Sequence, residues 1–250
     1  MEAWELGLLF AAGCVAGFLN VMAGGGSLLT LPIMVFMGMS GPEANGTNRV
    51  AILIQGISAT IGFFRQGFSD FRLSLTLALC GLPGTLIGAF LGTKLEGVWF
   101  NRLLAGVMVA VMILMARKKR KTEQIDNEAP PTARRLLLAH VLMVGAGFYG
   151  GLIQAGVGFI LMAILHRALG LDLVRVNMHK VFIVGLYTVV ALAVFAMKGQ
   201  VLWLVGLLLA AGNGIGGWVG AHYAVKKGER LIRIVFNVAL LVMAIKLLIA

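Results

Sequence analysis

Asn20 to Val50 reads Asn-Val-Met-Ala-Gly-Gly-Gly-Ser-Leu-Leu-Thr-Leu-Pro-Ile-Met-Val-Phe-Met-Gly-Met-Ser-Gly-Pro-Glu-Ala-Asn-Gly-Thr-Asn-Arg-Val. A glycine triplet, Gly24-Gly25-Gly26, is followed by a short apolar run containing Pro32, then by the polar group Asn45, Thr47, Asn48 and Arg49. A weaker copy lies 131 or 132 positions later. Gln154-Ala155-Gly156-Val157-Gly158 answers the glycine turn, and Met178-His179-Lys180-Val181 answers Thr47-Asn48-Arg49-Val50. Paired, glycine-interrupted, short apolar segments in the two halves of a membrane chain point to a transporter binding site.

The membrane setting follows from composition. Of 250 residues, 60% are hydrophobic and 12% charged. Apolar runs recur throughout, many long enough to cross a bilayer. Ten are predicted, at roughly 5–23, 27–39, 46–65, 72–94, 100–117, 134–153, 157–169, 176–197, 200–224 and 230–249. The expected class is an all-α polytopic membrane protein, with a first repeat over 1–117, a basic linker over 118–133 and a second repeat over 134–250. The N-terminus, Met1-Glu2-Ala3-Trp4-Glu5, lacks the positive charge of a secretory leader, so the first run is expected to be retained.

The net charge of +11 does not indicate nucleic acid. Arg117-Lys118-Lys119-Arg120-Lys121 directly follows an apolar run, where topogenic charge belongs. With that cluster in the cytoplasm and segments alternating, sixteen Lys and Arg fall inside and five outside. Five segments per half then make the second repeat inverted relative to the first. The runs 27–39 and 157–169 are 13 residues each, about 20 Å as helix against a core of about 30 Å. Each is expected to be one arm of a re-entrant hairpin or broken helix. Non-helical backbone at that depth must lie within protein or beside a wet cavity. A glycine ladder, Gly84/Gly88/Gly92 and Gly212/Gly216/Gly220, repeats too and reads as close helix packing.

No enzymatic motif is visible, and the ten acidic residues fall in loops or at segment ends. Without a membrane carboxylate a cation substrate is disfavoured, and an anion fits better. Backbone N–H groups at a glycine turn can cradle an anion, helped by the helix dipole. Gly24, Gly25, Gly26, Gly156 and Gly158 are the candidates. Ser27 would cap the returning helix, and Gln154 would donate from its amide. Asn48 and His179 are candidate donors at the starts of two long helices, with Arg49 and Lys180 as charge partners and Gln55 two turns further in. The plain alternative is that the turns serve packing and the cations are interfacial anchors. Cys14 and Cys80 read as small packing residues, and neither metal site nor cofactor is implied.

These motifs resemble the sulfite exporter family of bacterial permeases, TauE/SafE. The resemblance rests on Gly17 to Leu28, Pro32, Thr47-Asn48-Arg49, Gly147 to Gly151, Gly156 to Gly158 and the Gly84 ladder. It implies a multi-pass inner-membrane permease, often an exporter, for sulfite, sulfonates or related organosulfur anions. Its partners would be the lipid bilayer and a small anion, with homo-oligomerisation open. The second motif departs from the first: Val157 replaces a glycine, and Ile164 stands where Pro32 would be. A channel-like anion path and a non-transporting scaffold subunit are the alternatives.

Overall fold

In the computed structural model the short apolar runs are short helices. The structure describes residues 3–116 and 132–224, together with Ala244, Ile245 and Leu247. The Arg117–Lys121 cluster, nearly all of the linker and most of the tenth segment lie outside the described residues.

Among the described residues the regular structure is helical. The elements are α1 (Ala3–Met22), α2 (Ser27–Phe36), α3 (Gly41–Arg65), α4 (Phe71–Gly92), α5 (Gly97–Ala116), α6 (Ala133–Leu152), α7 (Val157–Ala163), α8 (Leu173–Met197) and α9 (Trp203–Tyr223). A π-helical turn, Ile164–Ala168, extends α7. Six of these helices are long and apolar enough to cross a membrane. At 10 residues α2 covers about 15 Å, half of a hydrocarbon core.

Helix boundaries follow local chemistry. α3 begins at Gly41, five residues before the apolar pattern suggested, because Ser40 and Glu43 form a capping box. The Glu43 N–H donates to Ser40 Oγ, and the Ser40 N–H donates to Glu43 Oε2 at 2.9 Å. Asp172 caps α8 by accepting from the N–H groups of Val174 and Arg175. Asn45–Arg49 and Asn177–Lys180 therefore lie in the second and third helical turns instead of opening their helices. Ser27 does not cap α2; Gly26 occupies that position.

The two halves exchange helices. α1 packs along α9, and α6 packs along α4, so the first helix of each half lies on the fourth helix of the other. α3 and α8 cross between these pairs, touching at Gly56 and Gly185. Both outer pairs meet backbone to backbone. A Cβ at Gly84 or Gly88 would strike the carbonyls of Val144 or Phe148 on α6. One at Gly212 or Gly216 would strike those of Phe10 or Cys14 on α1. The ladder is reciprocal, since Gly147 and Gly151 of α6 press on the carbonyls of Gly81 and Thr85.

Along α3 the polarity usual in a water-soluble protein is reversed. Ile57, Ile61 and Phe64 of α3 face outward, while Asn45, Thr47, Asn48, Arg49 and Gln55 of the same helix are buried. That distribution suits an apolar solvent.

Gly216→Val is expected to lower the melting temperature in detergent, since overpacking costs roughly 1–3 kcal/mol or more. Gly106→Ala, at a position with no neighbour inside 4 Å among the described residues, is the control and should not lower it. Equal effects in a thermal unfolding assay would refute the backbone-contact account.

Candidate functional site

Helix ends inside the fold create the site. α6 ends at Leu152, and the chain continues extended through Ile153. The last carbonyls of a helix have no intrahelical partner, so within protein they must find donors elsewhere. α3 supplies them. Arg49 Nη1 donates to the Gly150 carbonyl at 3.1 Å and to Gln154 Oε1 at 3.4 Å. Its Nη2 donates to the Gly151 carbonyl and to Asn45 Oδ1 at 3.3 Å. Asn45 Nδ2 donates to the Leu152 carbonyl at 2.8 Å. The guanidinium also lies over the Phe195 ring, 4.8 Å from its centroid.

Lys180 does the equivalent work in the other half. Its Nζ donates to the Val21 carbonyl, near the end of α1, at 2.7 Å, and to Asn177 Oδ1 at 2.8 Å. Both cations thus sit at the negative end of a helix dipole belonging to the other half. Both are buried, so neither is an interfacial anchor.

The two glycine turns touch. A Cβ on Gly24 would lie 2.6 Å from Gly158 Cα. Gly24 and Gly156 have φ of +81° and +71°, left-handed values that favour glycine. Gly24 donates its N–H to the Leu19 and Asn20 carbonyls. Gly26 donates to Asn20 Oδ1, at 3.2 Å, and packs on the Ala16 carbonyl. Gly25 is buried in the same turn. Ser27 and Asn48 join α2 to α3: Asn48 Nδ2 donates to Ser27 Oγ at 3.1 Å, and Thr30 Oγ1 donates to Asn48 Oδ1 at 2.7 Å.

Beside the touching turns is a cavity of about 10 Å³, lined by Asn20, Gln55, Gln154, Val157, Gly158, Lys180, Val181 and Val184. It is about the size of one water. Its polar lining has a definite sense. The Gly26 N–H requires Asn20 to present Oδ1, which turns Asn20 Nδ2 to Gln55 Oε1 at 2.9 Å. Arg49 has only donors, so Gln154 presents Oε1 to it; the Tyr187 hydroxyl donates to the same oxygen at 3.2 Å. Each of the three amide oxygens is therefore already bonded within the protein. The remaining N–H groups of Gln55 and Gln154, with the Lys180 ammonium, are left for the cavity.

Gln55, Gln154, Gly158 and Lys180 thus converge as a set. Arg49 stands behind Gln154, outside the lining. Gln154 uses its oxygen toward the protein, which its expected role as a donor did not anticipate. His179 is elsewhere: its Nδ1 lies 2.7 Å from Ser74 Oγ on α4. Gly156 faces a different space, an apolar groove of about 670 Å³ between α5, α6 and α7. Sequence reasoning missed Asn20, Tyr187 and Tyr149, whose hydroxyl braces the second turn by donating to the Ala155 carbonyl at 2.6 Å. Asn20 carried a usable signal, because an amide inside an apolar span requires a partner.

A helical bundle with exposed apolar flanks, helix ends inside it and a buried donor-lined cavity fits a polytopic membrane transporter. The chain matches the family described as sulfite exporter TauE/SafE over residues 9–247, and it belongs to that family. It is 31% identical to a probable membrane transporter protein, ORF9, of a Sinorhizobium species, over 97% of this chain and 92% of the relative. It is 28% identical to the probable membrane transporter protein YfcA of Escherichia coli K12, over 97% and 89% respectively. A Haemophilus influenzae protein of the same description is 28% identical over 91% and 88%. No solved structure matches the chain.

Arg49→Met should destabilise the fold, by roughly 1–3 kcal/mol for each carbonyl left bare. Arg49→Lys should recover only part of this, since one ammonium cannot replace a planar fork. Thermal unfolding of both variants checks it, and an unchanged midpoint for Arg49→Met would refute the helix-end role.

Proposed function

We propose that this chain is a permease that carries a small sulfur-containing anion, sulfite or a sulfonate, across the bacterial inner membrane by alternating access. The observation that carries the reading is the sense of the cavity lining. Its amide oxygens are engaged with the protein, its free groups are N–H donors, and among the described residues its one charged side chain is a lysine. A carboxylate-free, donor-lined cavity favours an oxyanion over a cation. The family supplies sulfur as the element; the geometry supports only the charge and the oxygen acceptors.

In this reading the two halves are inverted repeats, and α2 and α7 are the returning arms of re-entrant hairpins. The exchange of first and fourth helices between halves and the meeting of the two glycine turns support that arrangement. Gln55, Gln154 and Lys180 contact the anion. Gly24, Gly25, Gly26, Gly156 and Gly158 form turns that can part without moving side chains, and Ser27, Asn48 and Arg49 hold the helix ends. His179 holds α8 to α4 through Ser74. At about 10 Å³ the cavity is smaller than sulfite, so the two glycine turns must part to admit the anion.

Labelled sulfite and ethanesulfonate uptake into proteoliposomes tests the reading. Wild type should give saturable flux. Gln55→Leu keeps the volume but removes an amide, and should raise KM about tenfold or more, as loss of a hydrogen bond to a charged group does. Saturable flux with an unchanged KM would remove the cavity from the pathway.

A further inference from the structure

The two buried cations are not equivalent, and the difference concerns protons. Arg49 meets four acceptors and an aromatic face, and it stays charged in any protein environment. Lys180 meets two acceptors, the Val21 carbonyl and Asn177 Oδ1, and lines the cavity. A neutral lysine amine has two N–H groups, which match those two acceptors, and it then turns its lone pair toward the cavity. Protonation adds a third N–H in the direction of the cavity. Both forms therefore fit the same setting, one with the cavity empty and one with an anion in it.

We propose that Lys180 binds and releases one proton with each anion, making the permease an electroneutral proton–anion cotransporter. This rests on the permease reading above. Loading joins a free amine, a proton and the anion into an ammonium–anion pair. Release on the other side returns the anion and the proton to water and leaves the amine neutral. No bond other than N–H forms or breaks, and no further reactant is needed.

Among the described residues, the surroundings leave Lys180 alone in this role. Asn20 and the Val21 carbonyl face it from α1, Gln55 from α3, Gln154 and Gly158 from the second turn, and Asn177, Val181 and Val184 from α8. None of these titrates. Arg49 lies behind Gln154. His179 points to Ser74, where Asp70, Arg175 and Asp172 are the charges that act on it. An ammonium left in so small a cavity without its anion would be an uncompensated buried charge, which is strongly unfavourable. Losing the proton removes that penalty at each empty return.

The test uses ethanesulfonate, which stays ionised across the working pH range and so carries no proton itself. Purified full-length protein is reconstituted with a pH-sensitive dye in the lumen, and labelled anion uptake and lumen acidification are recorded together. The expected result is a proton for each anion and a rate indifferent to an imposed potassium diffusion potential. Lys180→Arg places a fixed cation in the cavity. It should retain measurable counterflow exchange, at a reduced rate, while in net uptake into an anion-free lumen acidification per anion falls to background. Wild-type anion uptake without acidification, or with a rate that follows the potential, would overturn the proposal while leaving the permease reading intact. So would a Lys180→Arg variant that acidifies the lumen at the wild-type ratio. If that variant does not fold, the wild-type ratio decides alone. Absence of wild-type counterflow with both ethanesulfonate and sulfite would remove the permease reading, and the coupling with it.

Discussion

A helix that ends inside apolar surroundings leaves carbonyl groups that water cannot reach. In this protein that constraint organises the interior. α6 and α1 both stop short of a turn within the fold, and in each case a cation from the other half supplies the missing donors. Arg49 and Asn45 cover three successive carbonyls, Gly150 to Leu152, while Lys180 covers Val21. Because each helix end is completed by the opposite half, neither half has a satisfied interior alone. The cavity lies where these completions meet, and its donor character follows from the amide oxygens being drawn into the same network.

Much of this was legible in the sequence. The glycine turns, the two short arms and the paired Arg49 and Lys180 could be read from spacing alone, because duplication made each feature its own control. The ladder was legible as packing, and its glycines do press on partner carbonyls. The targets of the side chains were not legible. A buried arginine can serve a ligand or a helix end, and the choice depends on where α6 stops in space, which periodicity does not encode. Ser27 looked like a cap because it follows the triplet, yet the helix starts one residue earlier than a cap there would require. His179 looked equivalent to Asn48, but the helix turn that carries it faces α4.

The segment 153–158 separates two environments of opposite kind. On one side Gln154 and Gly158 border a polar space with room for about one water. On the other, Gly156 borders a groove whose lining is almost wholly apolar, with Val107 and Val111 of α5 against it. Tyr149 spans the division, its ring in the groove and its hydroxyl on the Ala155 carbonyl. A thin, glycine-containing wall between an oily face and a polar one has few side chains to hold it, and the tyrosine bond supplies one of the fixed points.

The backbone-to-backbone packing has an evolutionary side. Where a glycine faces a carbonyl on another helix, even alanine has no room, so drift at Gly84, Gly88, Gly147, Gly151, Gly212 or Gly216 is closed to single substitutions. The outward positions of the same helices, such as Leu86, Ile87 and Ile215, meet no such limit and can exchange among apolar residues freely. Variation in this chain is thereby channelled to its rim. A lineage can retune how it sits in lipid while the spacing of its inner helices stays fixed.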